Sequence, residues 1–170
     1  SILKKLGEFN LSNFQSVLSV CPYYNLPNQN GLFAHFSKIS SNCPIPLILY
    51  NVPSRSGLNI NPNTVLQLIK KHNNIIGIKE AGSIKQINEL VFFCGNNIQI
   101  ISGNDFLIVE SILRGAVGTI SVIGNAFPQK INALVKHSLS SEINKALQIQ
   151  NELKSITNFI YEEGSPAGIK

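Results

Sequence analysis

The chain has 170 residues, of which 44% are apolar and 14% charged, with 12 glycines, 8 prolines and 3 cysteines. That is apolar material for one ordinary core, and it excludes collagen-like, disordered and disulfide-stapled classes. The formal charge of +5 rests on lysines spread singly or in pairs, with no basic stripe, so no nucleic-acid partner is indicated. No apolar run approaches the roughly 18 to 20 residues of a membrane span, and residues 1–20 lack the basic-then-apolar order of a signal peptide. The expectation is a cytoplasmic protein with no membrane partner, its Cys21, Cys43 and Cys94 reduced. No C-x-x-C or neighbouring Cys/His pair suggests a metal. The chain opens on Ser1 and contains no Met, which reads as a processed or truncated start.

In chain order, a β-rich run at 17–23 (VLSVCPY) is followed by a helical pattern at 29–41 with Leu32, Phe33, Phe36 and Ile39 on one face. A strand at 46–52 (PLILYNV) precedes a helix at 62–71, with Pro62 in the first turn, where a missing N–H costs little. Strand 75–81 (IIGIKEA) leads to a helix at 84–93, and strand 98–103 (IQIISG) to a helix at 105–114 opened by Asn104–Asp105. A fifth strand at 118–123 (GTISVI) is followed by helices at 128–138 and 141–162, the latter capped by Ser140 or Ser141. The strand runs are nearly continuous in apolar residues, which suits strands buried on both faces of a parallel sheet. Alternation of strand and helix gives an α/β fold, either a doubly wound sheet or part of a (β/α)8 barrel. Residues 1–127 form the strand and helix units, and 128–170 the last barrel helix and the start of a C-terminal helical region.

Chemistry in such folds gathers at the carboxyl ends of the strands. The five exits read PYYN (22–25), YNVPSR (50–55), KEAG (79–82), SGND (102–105) and SVIGN (121–125). Lys79 ends an otherwise apolar strand and by period two shares a face with Ile75 and Gly77. A desolvated lysine has a depressed pKa and can attack a carbonyl; the alternative is a structural ion pair with Glu80 or another carboxylate. Tyr50 is either a proton relay beside Lys79 or a core tyrosine with its hydroxyl at the rim. Tyr23 and Tyr24 are consecutive, so at most one serves a given pocket directly. Arg55, in a loop, is either solvated or a fork for a carboxylate. Gly103 and Gly118 suit tight strand ends. No nucleotide-binding glycine motif is present, and no Ser/His/Asp set can be built.

PYYNLPNQNG (22–31), LYNVPSRSG (49–57), IIGIKEA (75–81), SGND (102–105) and GTISVIGN (118–125), in this order and spacing, resemble the dihydrodipicolinate synthase family, or 4-hydroxy-tetrahydrodipicolinate synthases. These belong to the class I pyruvate-dependent aldolases. The terminal EEGSPAGIK (162–170) resembles the family's helical region after the barrel. The resemblance implies a partial (β/α)8 barrel, the C-terminal part of a lyase that condenses pyruvate with L-aspartate 4-semialdehyde in lysine and diaminopimelate biosynthesis. It assigns Lys79 to the Schiff base with pyruvate and Tyr50 to proton relay. Tyr24 resembles the tyrosine that crosses a dimer contact into the neighbouring active site. Arg55 resembles the arginine at the site entrance that engages the semialdehyde carboxylate. Gly103 and Ile120 match positions lining the pyruvate pocket, and Tyr23 an allosteric lysine-binding position. The resemblance further implies a homotetramer and no cofactor beyond the lysine imine. Relatives using the same lysine are N-acetylneuraminate lyases and sugar-acid aldolases, and Arg55 distinguishes these, since the sialic-acid enzymes generally lack it.

Ser56 replaces a common Thr and Asn104 a common Asp. The family's Gly-Thr-Thr-Gly-Glu stretch, whose threonine binds the pyruvate carboxylate, is absent. About three βα units before the first strand are therefore expected to be missing from this fragment. The isolated chain should show little or no turnover, and a non-catalytic remnant is the reading from another class. Open sheet edges predict aggregation.

Overall fold

The computed structural model describes residues 2–162 and 164–170; Ser1 and Glu163, the latter within the terminal EEGSPAGIK motif, lie outside the described residues. In chain order the elements are α1 (Ile2–Glu8), β1 (Val17–Val20), α2 (Gln29–Ser40), β2 (Leu47–Asn51), α3 (Pro53–Ser56), α4 (Pro62–Lys71), β3 (Ile75–Glu80) and α5 (Ile84–Cys94). There follow β4 (Gln99–Ser102), a 3-10 turn Asp105–Leu107, α6 (Ile108–Leu113), β5 (Gly118–Thr119), α7 (Pro128–Leu139) and α8 (Ile143–Glu162). All four strand pairings are parallel, and the spatial order is the sequence order, β1-β2-β3-β4-β5. A doubly wound sheet reverses its order at a switch point. Here no reversal occurs, so the sheet is an arc of a (β/α)8 barrel.

Local chemistry explains the helix starts. Asn28 accepts from Gly31 N at 3.0 Å and Ser83 from Gln86 N at 3.2 Å, each satisfying an orphan donor of a first turn. Pro62 occupies the first turn of α4 as expected. The expected helix at 105–114 is divided instead into the 3-10 turn, whose Phe106 N donates to Asn104 Oδ1 at 3.0 Å, and α6, while the Asp105 carboxylate accepts from Val122 N and Ile123 N. β5 has two residues, short of the expected 118–123, its pairing ending with β4 at Ser102. Neither Ser140 nor Ser141 caps α8, which begins at Ile143; Ser140 terminates α7, and Ser141 has a φ of 60°.

The helices cover one face of the sheet. Leu47 and Leu49 of β2, Ile78 of β3 and Ile100 of β4 are buried against Leu32 and Phe36 of α2, Leu68 of α4 and Leu90 of α5. A second cluster joins α6, α7 and α8 through Ile108, Ile131, Leu134, Leu153 and Ile160. Burial on both faces does not hold. Leu18 is 43% exposed, and Ile48, its register partner on β2, is only half-buried, because five strands do not close a barrel and their concave face is left uncovered. A bulge in β3 also overturns one face assignment. Leu47 pairs with Ile75 but Ile48 with Gly77, so Ile76 is an extra residue. Ile75 thus packs with the helices, and only Gly77 shares the concave face with Lys79.

One-sided burial has a measurable consequence. In urea unfolding, Leu49→Ala should cost about 2–5 kcal/mol, the usual loss at a buried leucine. Leu18→Ala, on the uncovered face, should cost less than about 1 kcal/mol. Equal losses would mean that both faces are packed.

Candidate active site

The site is built by two adjacent strands in register. Tyr50 of β2 pairs with Lys79 of β3, so both side chains stand on the concave face, and the Lys79 Nζ lies 4.4 Å from the Tyr50 ring centroid. This is within cation–π range for a lysine over a phenol. One residue further along, Asn51 pairs with Glu80 on the helix-covered face. There the Asn51 Nδ2 donates to Glu80 Oε2 at 2.8 Å and to Asn59 Oδ1 at 2.8 Å, and Gly82 N donates to Glu80 Oε1 at 2.6 Å. Gln86 of α5 extends the network, donating to Ile60 O at 2.7 Å and accepting from Asn59 Nδ2 at 3.0 Å.

This arrangement decides between the two readings of Lys79. Among the described residues it makes no ion pair, and its sequence neighbour Glu80 faces the other way with both oxygens engaged. Lys79 is only 9% exposed. Burial pushes its ammonium below the ordinary lysine pKa of 10.5, opposed in part by the charge of Asp105. Tyr50 is half-buried, and burial raises its phenol above the usual range while Arg55 pulls it back. The Glu80 carboxyl is pushed up to about 7 by burial, against the lowering hydrogen bonds from Asn51, Gly82 and Gln86.

Lys79 and Tyr50 open into a cleft of about 460 Å³ that also presents Arg55, Gly103 and Tyr161. Arg55 does not lie in an irregular loop as expected. It sits on the single turn α3, started by Pro53 and closed by Gly57 at a φ of 66°, with Ser56 Oγ donating to Val52 O at 3.0 Å. Gly103 lets the lysine lie flat: a Cβ there would come within 2.9 Å of both Lys79 Cε and Ala81 Cβ.

Not every predicted residue is gathered. Ile120 follows β5, bonds to Ser102 O through its N–H at 2.9 Å and is 37% exposed, outside the cleft lining. Tyr24 is 90% exposed and takes no part in the cleft. Tyr23, 70% exposed, lines a neighbouring apolar hollow with Leu18 and Val20, whose far wall is Tyr50 and Arg55. The buried cysteines are poor nucleophiles, the thiols of Cys21 and Cys94 being pushed up to about 11 by burial. Among the described residues no group of three His, Cys, Asp or Glu could hold a metal ion, and no helix is long and apolar enough to cross a membrane.

Two residues emerge only from the structure. Tyr161, near the end of α8, reaches the cleft and donates its hydroxyl proton to Asp105 Oδ2 at 2.9 Å. Asp105 is 5% exposed and also accepts from Val122 N at 3.0 Å and Ile123 N at 3.3 Å. The available signal was the presence of a single Asp, placed at a strand exit.

Residues 8–170 match the dihydrodipicolinate synthetase family. The 4-hydroxy-tetrahydrodipicolinate synthase of Cytophaga hutchinsonii is 40% identical over 170 residues, covering 99% of this chain and 57% of its own length. That of Karelsulcia muelleri is 41% identical over 171 residues, covering 99% and 58%. The crystal structure of dihydrodipicolinate synthase from Thermotoga maritima superposes with a TM-score of 0.91 at 31% identity, over 96% of this chain and 57% of that one. The chloride-inhibited dihydrodipicolinate synthase of Acinetobacter baumannii complexed with pyruvate gives 0.87 at 32% identity, over 92% and 54%. The chain thus spans a little over half the length of these relatives.

Glu80 gives the site a pH signature. Its folded carboxyl keeps a proton to about pH 7, whereas an unfolded one releases it near 4.5, so the native state binds more protons between those values. The contribution to stability is complete below about 4.5 and is lost as pH rises through 7. Urea midpoints should therefore fall across this window in the wild type and fall less in Glu80→Gln. An identical slope in the variant would remove Glu80 as the cause.

Proposed function

The chain belongs to the dihydrodipicolinate synthetase family, and from that premise we propose that it carries the Schiff-base part of a 4-hydroxy-tetrahydrodipicolinate synthase site. The reaction is condensation of pyruvate with L-aspartate 4-semialdehyde, in lysine and diaminopimelate biosynthesis. The observation that carries the reading is a nearly buried lysine, without an ion pair among the described residues, stacked on a tyrosine at the carboxyl ends of barrel strands.

The neutral Lys79 amine attacks the pyruvate carbonyl carbon, forming a C–N bond, and the carbonyl oxygen leaves as water to give an iminium. That cation is an electron sink, so a methyl proton is released and the resulting enamine carbon attacks the aldehyde. The substrate's own amine then attacks the imine carbon and frees Lys79. Tyr50, its ring centroid 4.4 Å from the Lys79 nitrogen, moves protons onto and off the intermediates, and its raised pKa keeps it a protonated donor at neutral pH. The electron sink is the lysine imine itself, so the chemistry as written calls for no added cofactor. Arg55 at the mouth of the cleft suits a compact carboxylate and favours the semialdehyde over a sugar acid.

Gly103 supports the reading by giving Lys79 room at the pyruvate end. Ile120, just after β5, is assigned to the pyruvate pocket by family likeness. Tyr24, 90% exposed, is free to reach a neighbouring subunit of a homotetramer, with Tyr23 beside it for an allosteric role. A cytoplasmic location fits a lyase acting on these metabolites.

Borohydride reduction in the presence of pyruvate tests the assignment without needing full turnover. The adduct should map to the Lys79 peptide and be missing from Lys79→Arg, while Tyr50→Phe slows its formation about 10²- to 10⁴-fold, as expected for loss of a general acid–base group. An adduct distributed over surface lysines, with none on Lys79, would sink the proposal.

A further inference from the structure

The cleft has a second polar pole. Arg55 lines one part of its wall and Tyr161 another, and the two are close enough for the guanidinium charge to act on the phenol. The Tyr161 proton is committed to Asp105 Oδ2, so toward the cleft the hydroxyl oxygen has only lone pairs to offer. Burial and the adjacent carboxylate hold the phenol far above its ordinary pKa, which keeps that proton in place at every working pH. Asp105 in turn acts on the Lys79 ammonium only at a distance. No lysine, arginine or histidine pairs with it among the described residues, and its buried Oδ1 has no hydrogen-bond partner. A buried carboxylate that accepts from two backbone N–H groups and the phenol polarises that phenol, whose oxygen also feels the Arg55 guanidinium.

Resting on the reading that the second substrate is an amino-aldehyde whose carboxylate goes to Arg55, we propose that Tyr161, held by Asp105, is the subsite for that substrate's α-ammonium group. The ammonium donates to the Tyr161 hydroxyl oxygen, and the Asp105 charge behind the phenol polarises it. Arg55 and the Tyr161–Asp105 pair then read the carboxylate and the ammonium carried by one α-carbon, while the aldehyde at the other end of the substrate is directed to Lys79. Tyr161 contacts substrate and sets specificity. Asp105 acts through it as a positioning residue. The Phe106 ring, 5.4 Å from that of Tyr161, fixes the phenol in place from the side.

Calorimetric titration with two unreactive analogues tests this apart from turnover. L-homoserine keeps the carboxylate and ammonium with an alcohol in place of the aldehyde, and 4-hydroxybutyrate lacks only the ammonium. The wild type should bind L-homoserine about tenfold or more tightly than 4-hydroxybutyrate, since a hydrogen bond to a charged group is worth at least a decade of affinity. Tyr161→Phe, which keeps the ring packing, should erase most of this preference while leaving 4-hydroxybutyrate binding unchanged, and the isosteric Asp105→Asn should do the same. A merely structural role would weaken both analogues alike and overturn the proposal. Binding of both without preference in the wild type overturns it as well, yet leaves the Arg55 reading intact. If neither binds to protein that forms the pyruvate adduct on Lys79, the amino-aldehyde reading falls together with the proposal.

Discussion

The register of β2 on β3 is the constraint on which the site depends. With Tyr50 opposite Lys79, the residues that follow, Asn51 and Glu80, are forced onto the opposite face. A slip of one residue would put the lysine among the helices and the carboxylate in the cleft. Asn51 and Glu80 are hydrogen-bonded to each other and, through Asn59 and Gln86, to the segment before α4 and to α5. A polar network on the covered face thus fixes the strands whose other face carries the chemistry. The ladder continues past the strands, with Ala81 N bonded to Asn51 O at 2.9 Å and Gly103 N to Glu80 O at 2.7 Å.

The same alternation separates charges. Lys79 and Glu80 are consecutive, yet the carboxylate cannot reach the ammonium it follows, so neither neutralises the other. Each bears its own desolvation, and their ionisations shift toward neutrality from opposite sides. The lysine is thereby readied as an amine, while the buried glutamate lowers stability above neutrality. On the concave side the remaining charges are held by short, rigid elements. Arg55 stands on a single helical turn, and Asp105 is fixed by the N–H groups of Val122 and Ile123.

Much of this was legible in the residues. Five strands and their helices follow from apolar period, and Lys79, Tyr50, Arg55 and Gly103 all lie at strand exits that the fold brings together. What escaped detection has physical reasons. The Ile76 bulge depends on pairing with β2, which a single strand's pattern does not carry. The turn at Pro53–Ser56 was marked by its Pro and by Gly57, but at four residues it has no helical period to read. Tyr161 meets Asp105 across 56 residues of sequence, a contact set by how α8 folds back. Burial on both faces failed at Leu18 because apolar runs report how strands pack only when enough strands are present to close around them.

The central claim is that burial on the concave face, with no paired carboxylate among the described residues, makes Lys79 an amine at lower pH than an ordinary lysine. Its titration can be read directly from the pH dependence of the rate at which Lys79 is acylated, followed by peptide mass spectrometry. A midpoint clearly below 10.5 is predicted. A midpoint at or above 10.5 would mean that Lys79 is held as a paired cation, and would contradict the account.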